Sequence, residues 1–362
     1  MPSPIVGRAG AGGPPCQGVY HRPRGGWPAV AVIATHYNVD FSEHYLAELC
    51  ANRGVGFLGW NTRFRGAEQY FLLDHAIAEI AVGVRWLREV AGAETIVLLG
   101  NSGGGSLMAA YQSQSIEPNL KPEYGRSEIV ASAIDVPGAD LYVSLAAHPG
   151  RPEVLTNWMD PSVGNEGDSL SVIESLDPFA EGREIPFSED FVSKYREAQR
   201  DRNYRITKWV RDEIDLMASA GYHDRLFTTP RLWADLRMID GSIDPSNRKS
   251  PSCYLGDPRR ANYGIYGVGT VSSLRTWLSM WSLNESQCSA APHLERINVP
   301  SLVIDADGDS GVFPSDTQAI VESLGSKDLT ALTISGDHYL RDRENARDEV
   351  ADVIVDWIQE RS

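Results

Sequence analysis

Three stretches of the chain hold residues that could do covalent chemistry together. The first is Gly100-Asn101-Ser102-Gly103-Gly104, which follows the apolar run ending at Leu99 and leads into small residues from Gly105 onward. A serine at so sharp a strand-to-helix turn presents its hydroxyl above the strand, and glycine two residues before and two after removes side chains that would collide there. A serine hydroxyl is a poor nucleophile at neutral pH. It needs a base within hydrogen-bond reach and a third group to orient that base. The second stretch, Asp305-Ala306-Asp307-Gly308-Asp309-Ser310-Gly311, supplies acids directly after an apolar run. The third, Ser335-Gly336-Asp337-His338, supplies an imidazole after another. By residue type alone, Asp305, Asp307 and Asp309 are all candidates for the acid. A calcium loop is a poor reading of their spacing, because Ser310 holds the position that needs glycine and an apolar strand, not a helix, precedes it.

The elements that must carry these residues alternate regularly. Strands are predicted over 29–35, 55–60, 96–99 and 140–147, with helices over 41–52, 72–90 and from the Ser102 turn to about 114. In the second helix Ile77, Ile80, Ala81, Val84 and Leu87 recur at helical spacing. The strands are apolar throughout, as strands buried on both faces must be. Residues 1–28 read as a loose arm with at most a short strand near 18–21. The rhythm stops at 151. From there to 292 no buried strand is predicted, and helices are expected over 188–221 and 271–283. It returns with strands over 299–304 and 329–334 and helices over 315–324 and at the C-terminus. Strands alternating with helices predict an α/β fold, a mostly parallel sheet with helices on both faces, whose post-strand loops gather at one edge. The expected organisation is an arm (1–28), a first core part (29–150), a mostly helical insertion (151–292) and a second core part (293–362).

Composition excludes several classes. A net charge of −16 argues against a nucleic-acid groove or an anionic membrane surface as partner. The four cysteines, Cys16, Cys50, Cys253 and Cys288, lie far apart and form neither a zinc pattern nor a dense disulfide framework, so a reducing, cytoplasmic location is expected. No apolar run reaches the roughly 18 residues of a spanning helix, and 1–15 lack a signal-peptide core.

Taken together, the strand leading to His36, the Gly100–Gly104 turn, the Val303-Ile304…Asp309…Pro314 stretch and Gly336-Asp337-His338 resemble the α/β-hydrolase fold family over nearly the whole chain. The resemblance implies Ser102 as nucleophile, His338 as base and Asp309 as acid, the last from its usual distance beyond the strand end. It also implies that 151–292 is a cap. Two features depart from the family pattern: His36-Tyr37 stands where members commonly carry His-Gly, and the N-terminal antiparallel strands are short or missing. For a tetrahedral oxyanion the expected donors are the N–H of Gly103 and one from the loop after Thr35, Asn38 before Tyr37. His36 is expected to brace this loop beside the substrate, and His148 to be a packed structural histidine. Trp158, Trp277 and Trp281 are expected to line a mainly apolar pocket. The implied activity is a serine hydrolase that needs neither metal nor cofactor and cleaves a small, apolar ester, lactone or thioester. A carbon–carbon hydrolase or acyltransferase with the same residues, or a non-catalytic binding protein on the same fold, stands as the alternative. A homodimer is compatible with the sequence.

Overall fold

The computed structural model describes residues 16–129 and 135–362; most of the predicted arm, 1–15, lies outside them. Seven strands form one sheet in the order β1-β3-β2-β4-β5-β8-β9. They are β1 (Gln17–His21), β2 (Val30–Ala34), β3 (Gly56–Asn61), β4 (Thr95–Asn101) and β5 (Leu141–Leu145). After β6 (Leu226–Thr228) and β7 (Val271–Ser273), which pair only with each other, come β8 (Ser301–Ala306) and β9 (Leu329–Ile334). Every neighbour pair of the large sheet is parallel except β1–β3.

The apolar runs are explained by burial on both faces. Ala31 and Ile33 of β2, with Ile96 and Leu98 of β4, face a core closed by helices Leu73–Glu89 and Gly104–Ile116. Val32, Ala34, Val97 and Leu99 face the opposite core, closed by helices Ala47–Asn52 and Ala346–Gln359. Successive strand residues thus enter different cores, and neither face can be polar. Arg53 ties the two helices of the second face together through Asp348 (3.0 Å) and Asp352 (2.6 Å).

Between β5 and β8 the chain forms helix Arg151–Trp158, the long helix Glu189–Ser219, the β6–β7 hairpin and a helical stretch over 274–281. The long helix starts where expected: the Ser188 hydroxyl caps it by accepting the Phe191 N–H. Two predicted helices are shorter than their sequences suggest. The helix over 41–52 begins only at Ala47. Its leading residues are drawn flat onto β3, where a Cβ on Gly59 would lie 2.0 Å from the Phe41 carbonyl oxygen and the Phe41 N–H donates to Asn61 Oδ1. The helix over 271–283 loses its first turn to β7, and Ser273 caps what remains through the Thr276 N–H. Among the described residues no helix is long and apolar enough to cross a membrane.

Candidate active site

The turn after β4 places Ser102 at φ 55°, left-handed backbone that a non-glycine residue adopts only under constraint. The constraint is visible. The Ser102 N–H donates to Leu145 O, and its carbonyl accepts the His148 N–H, both at 3.1 Å, pinning the turn to the end of β5. Asn101 Nδ2 donates to the same carbonyl of Leu145 (2.9 Å), while its Oδ1 meets His44 Nε2 (3.0 Å). A Cβ on Gly100 would lie 2.6 Å from Gly105 Cα, and one on Gly104 would lie 2.3 Å from Thr35 O. Both glycines of the pattern are therefore sterically required.

The loops after β8 and β9 bring the acid and base to this turn. His338 Nε2 lies 3.0 Å from Ser102 Oγ, and His338 Nδ1 lies 2.5 Å from Asp309 Oδ2. Asp309 is 1% and His338 5% exposed. The other carboxylate oxygen, Oδ1, accepts the N–H groups of Gly311 (2.8 Å) and Val312 (3.0 Å). It also accepts the Tyr254 hydroxyl at 3.2 Å; that hydroxyl lies 3.0 Å from His338 Nδ1, which already carries the proton given to Asp309. Burial, then Asp309, pushes the Tyr254 phenol well above its ordinary pKa, so it remains a neutral donor. The two other acids serve the loops themselves. Asp307 accepts from the Gly336 N–H (3.1 Å) and Asn247 Nδ2 (2.7 Å). Asp305 is half-buried at the end of β8, its carboxyl pKa raised by burial.

On the other side of Ser102 stand Gly103 and the loop after β2. Among the described residues, the N–H groups of Gly103 and Tyr37 have no protein acceptor, while that of Asn38 turns toward the His36 ring at 3.4 Å. The Tyr37 side chain is fully buried, its hydroxyl 3.0 Å from Ser106 Oγ. It takes up space that glycine leaves open in the His-Gly pattern. His36 Nδ1 meets Asn38 Oδ1 (3.1 Å), and its Nε2 meets the Arg151 guanidinium (3.3 Å). An arginine has no acceptor to offer, so Nε2 accepts from it, while Nδ1 also faces the N–H groups of Asn38 (3.4 Å) and Val39 (3.3 Å). Burial first, and the Arg151 charge next, hold the His36 pKa well below its usual value.

Ser102, His36 and Asn38 open into a cavity of about 470 Å³ that Arg151, His148, Trp158, Trp233, Tyr254 and His338 also line. Trp158 stacks on Trp233 with centroids 4.7 Å apart. Trp277 and Trp281, expected in the lining, are absent from it. Trp277 is fully buried, donates Nε1–H to Thr207 Oγ1 (2.9 Å) and packs on Phe227 of β6. Trp281 is also fully buried and lies behind the Arg151 guanidinium, 5.7 Å from its carbon. Helical spacing turned both indoles inward, into the large core that the segment shares with the sheet and helices Leu73–Glu89 and Gly104–Ile116. The lining is accordingly more polar than predicted. Arg151, Tyr254 and Trp233 were missed. Arg151 opens a helix six residues beyond the end of β5, after the 146–150 loop. Tyr254 and Trp233 lie in irregular stretches with no periodicity.

No protein-family model and no curated protein matches the sequence. Solved structures do resemble it. The structure of DcsB in complex with its substrate analogue superposes with a TM-score of 0.53 at 12% identity, covering 95% of this chain and 94% of that one. A monoacylglycerol lipase of Paleococcus ferrophilus gives a TM-score of 0.47 at 15% identity, over 96% and 98% of the two chains. The α/β-hydrolase GrgF from Penicillium sp. sh18 gives 0.48 at 10%, over 94% and 91%. The mixed seven-stranded sheet, the turn after β4 and the order of the loops are those of the α/β-hydrolase fold.

Proposed function

We propose that this α/β-hydrolase-fold chain is a serine hydrolase that cleaves a carboxylic ester, lactone or thioester through an acyl-enzyme. The observation that carries the reading is the unbroken line Ser102 Oγ, His338 Nε2, His338 Nδ1, Asp309 Oδ2, with contacts of 3.0 and 2.5 Å at its ends. As substrate enters, His338 takes the Ser102 proton while Oγ attacks the carbonyl carbon. Asp309 holds the imidazole in the tautomer that leaves Nε2 free and stabilises the imidazolium that forms. The carbonyl oxygen becomes an oxyanion that the Gly103 N–H takes, with a second donor from the 37–38 backbone. His338 then protonates the leaving group, and water enters by the reverse sequence to release the acid. Nucleophile, base and acid are all side chains, so the cycle needs no cofactor. The 151–292 segment serves as a cap. Supporting this, it supplies Arg151, Trp158, Trp233 and Tyr254 to the cavity around Ser102. The Trp158–Trp233 stack fits an apolar part of the substrate.

The test is labelling by a fluorophosphonate together with hydrolysis of 4-nitrophenyl acyl esters. Ser102→Ala is expected to abolish labelling and lower kcat by at least about 10³-fold. Asp309→Asn should cost about 10⁴-fold, far more than Asp305→Asn or Asp307→Asn. Labelling that persists in Ser102→Ala refutes the nucleophile, and Asp305 or Asp307 proving the worst loss refutes the acid.

A further inference from the structure

Five arginines are buried among the described residues: Arg151, Arg202, Arg231, Arg237 and Arg248. Three of them hold carboxylates, Arg202 on Glu166, Arg231 on Asp160, and Arg237 on Asp235 and Asp316. Arg248 donates to the carbonyls of Arg237, Ile243 and Asp244. Arg151 is the exception. It is 3% exposed, and among the described residues its guanidinium makes one hydrogen bond, to the neutral ring of His36. Its Nε is buried with no partner, and its guanidinium lies over the Tyr37 ring at 4.5 Å. Glu68 acts on it from beyond ion-pair distance and spends its oxygens on Asn38 Nδ2 and the Gly269 N–H. A buried cation with no carboxylate at ion-pair distance is costly, and such a charge persists in a fold where a ligand can supply a closer anion.

The place of this charge says what supplies it. Arg151 lines the cavity that Ser102 opens into. A Cβ on Gly103 would lie 2.4 Å from Arg151 Nη2 and 2.8 Å from His36 Nε2, so the guanidinium sits over the residue next to the nucleophile. It is held by His36 and Tyr37 of the loop after β2, beside the Gly103 N–H that takes the oxyanion, whereas the leaving group must depart toward His338 to be protonated. Resting on the hydrolase reading, we propose that Arg151 binds a carboxylate carried by the acyl part of the substrate, a short chain away from the scissile carbonyl. The substrate class is then a monoester or monothioester of a dicarboxylic acid. The guanidinium pairs its N–H edge with that carboxylate and forms no covalent bond, and the acyl transfer itself is unchanged. His36 orients the fork by accepting from Nη2, and the Tyr37 ring supports its face.

The experiment compares mono-4-nitrophenyl glutarate with 4-nitrophenyl valerate, which has the same chain length and no charge. Wild-type protein is expected to favour the glutarate in kcat/KM by at least about tenfold. Arg151→Gln should collapse that ratio at least about tenfold, and Arg151→Lys, which keeps the charge without the fork, should fall between. In parallel, calorimetric titration of monomethyl glutarate into Ser102→Ala protein should give binding that the added Arg151→Gln or Arg151→Lys change weakens. A wild-type preference for valerate overturns the assignment. So does a ratio that neither variant moves, which is the outcome for a residue that only clamps the segment to the sheet or only assists the oxyanion. If Arg151→Gln fails to fold, the wild-type ratio and Arg151→Lys still decide. Binding of monomethyl glutarate through Arg151 without cleavage of either ester upholds the anion site and removes the hydrolase reading. Cleavage of valerate with no preference and no anion binding does the reverse.

Discussion

Replacing Tyr254 by phenylalanine removes one hydroxyl from the Asp309–His338 pair and leaves the ring, whose centroid lies 4.4 Å from that of His338, in place. The hydroxyl donates to Asp309 Oδ1 at 3.2 Å, the longest of the three bonds that oxygen accepts. A hydrogen bond to a charged group contributes about 1.5–3 kcal/mol, and the length of this one puts it at the lower end. About 1.4 kcal/mol is a factor of ten in rate. Tyr254→Phe is therefore expected to lower kcat about tenfold, well short of the loss from Asp309→Asn. Oδ1 keeps the Gly311 and Val312 N–H groups, so no buried acceptor is orphaned and stability should fall by no more than about 2 kcal/mol. Ester turnover and the rate of fluorophosphonate labelling should fall together, because both need the same oriented imidazole, and denaturant unfolding supplies the stability. A kcat within about twofold of wild type would show that Tyr254 does not help to position Asp309. A loss matched by a large fall in stability would show that the hydroxyl holds the fold and not the carboxylate.

The tryptophans should separate by role. Trp277→Ala is expected to destabilise by about 3–5 kcal/mol, as for a fully buried indole, with little change in the preference among acyl chain lengths. Trp158→Ala should shift that preference, and a shift in Trp277→Ala at unchanged stability would refute the division. Acid should also destabilise the protein. Burial lowers the His44 pKa from 6.5 to about 4, and it holds His36 and His148 well below their usual value. Each depressed pKa means that the folded state binds fewer protons than the unfolded chain. The stability this represents is complete above about pH 6.5 and is lost as pH falls toward 4. For His44 alone the gap corresponds to about 3 kcal/mol. Urea midpoints at pH 7 and 4.5 should differ accordingly, and His44→Gln should flatten the difference; a flat profile in wild type refutes it.

The sheet was legible because its signal is local. Ala31, Val32, Ile33 and Ala34 enter two cores alternately, so β2 has to be apolar at every position, and the same holds for Ile96–Leu99 within β4. The Ser102 turn was legible for a related reason: Gly100 and Gly104 answer collisions within a few residues of themselves or with the adjoining strand. The start of the helix after β2 was not. It is decided by the approach of Phe41 to Gly59, a contact between strand and loop that leaves no periodicity behind. The choice among Asp305, Asp307 and Asp309 was open by residue type, and only the way the loops after β8 and β9 lie together sets Asp309 against His338 and Asp307 against Gly336. Helical spacing shows that an indole is turned inward but not which interior it enters, so Trp158 at the cavity and Trp277 in the core shared with the sheet looked alike. Tyr254 and Arg151 belong to the same class. Each reaches the site from a segment packed over the sheet, Tyr254 touching residues 55 and 84 positions away and Arg151 one 115 positions away. Contacts of that range are set by how elements pack, and the residue types along the chain carry no trace of the distance they span.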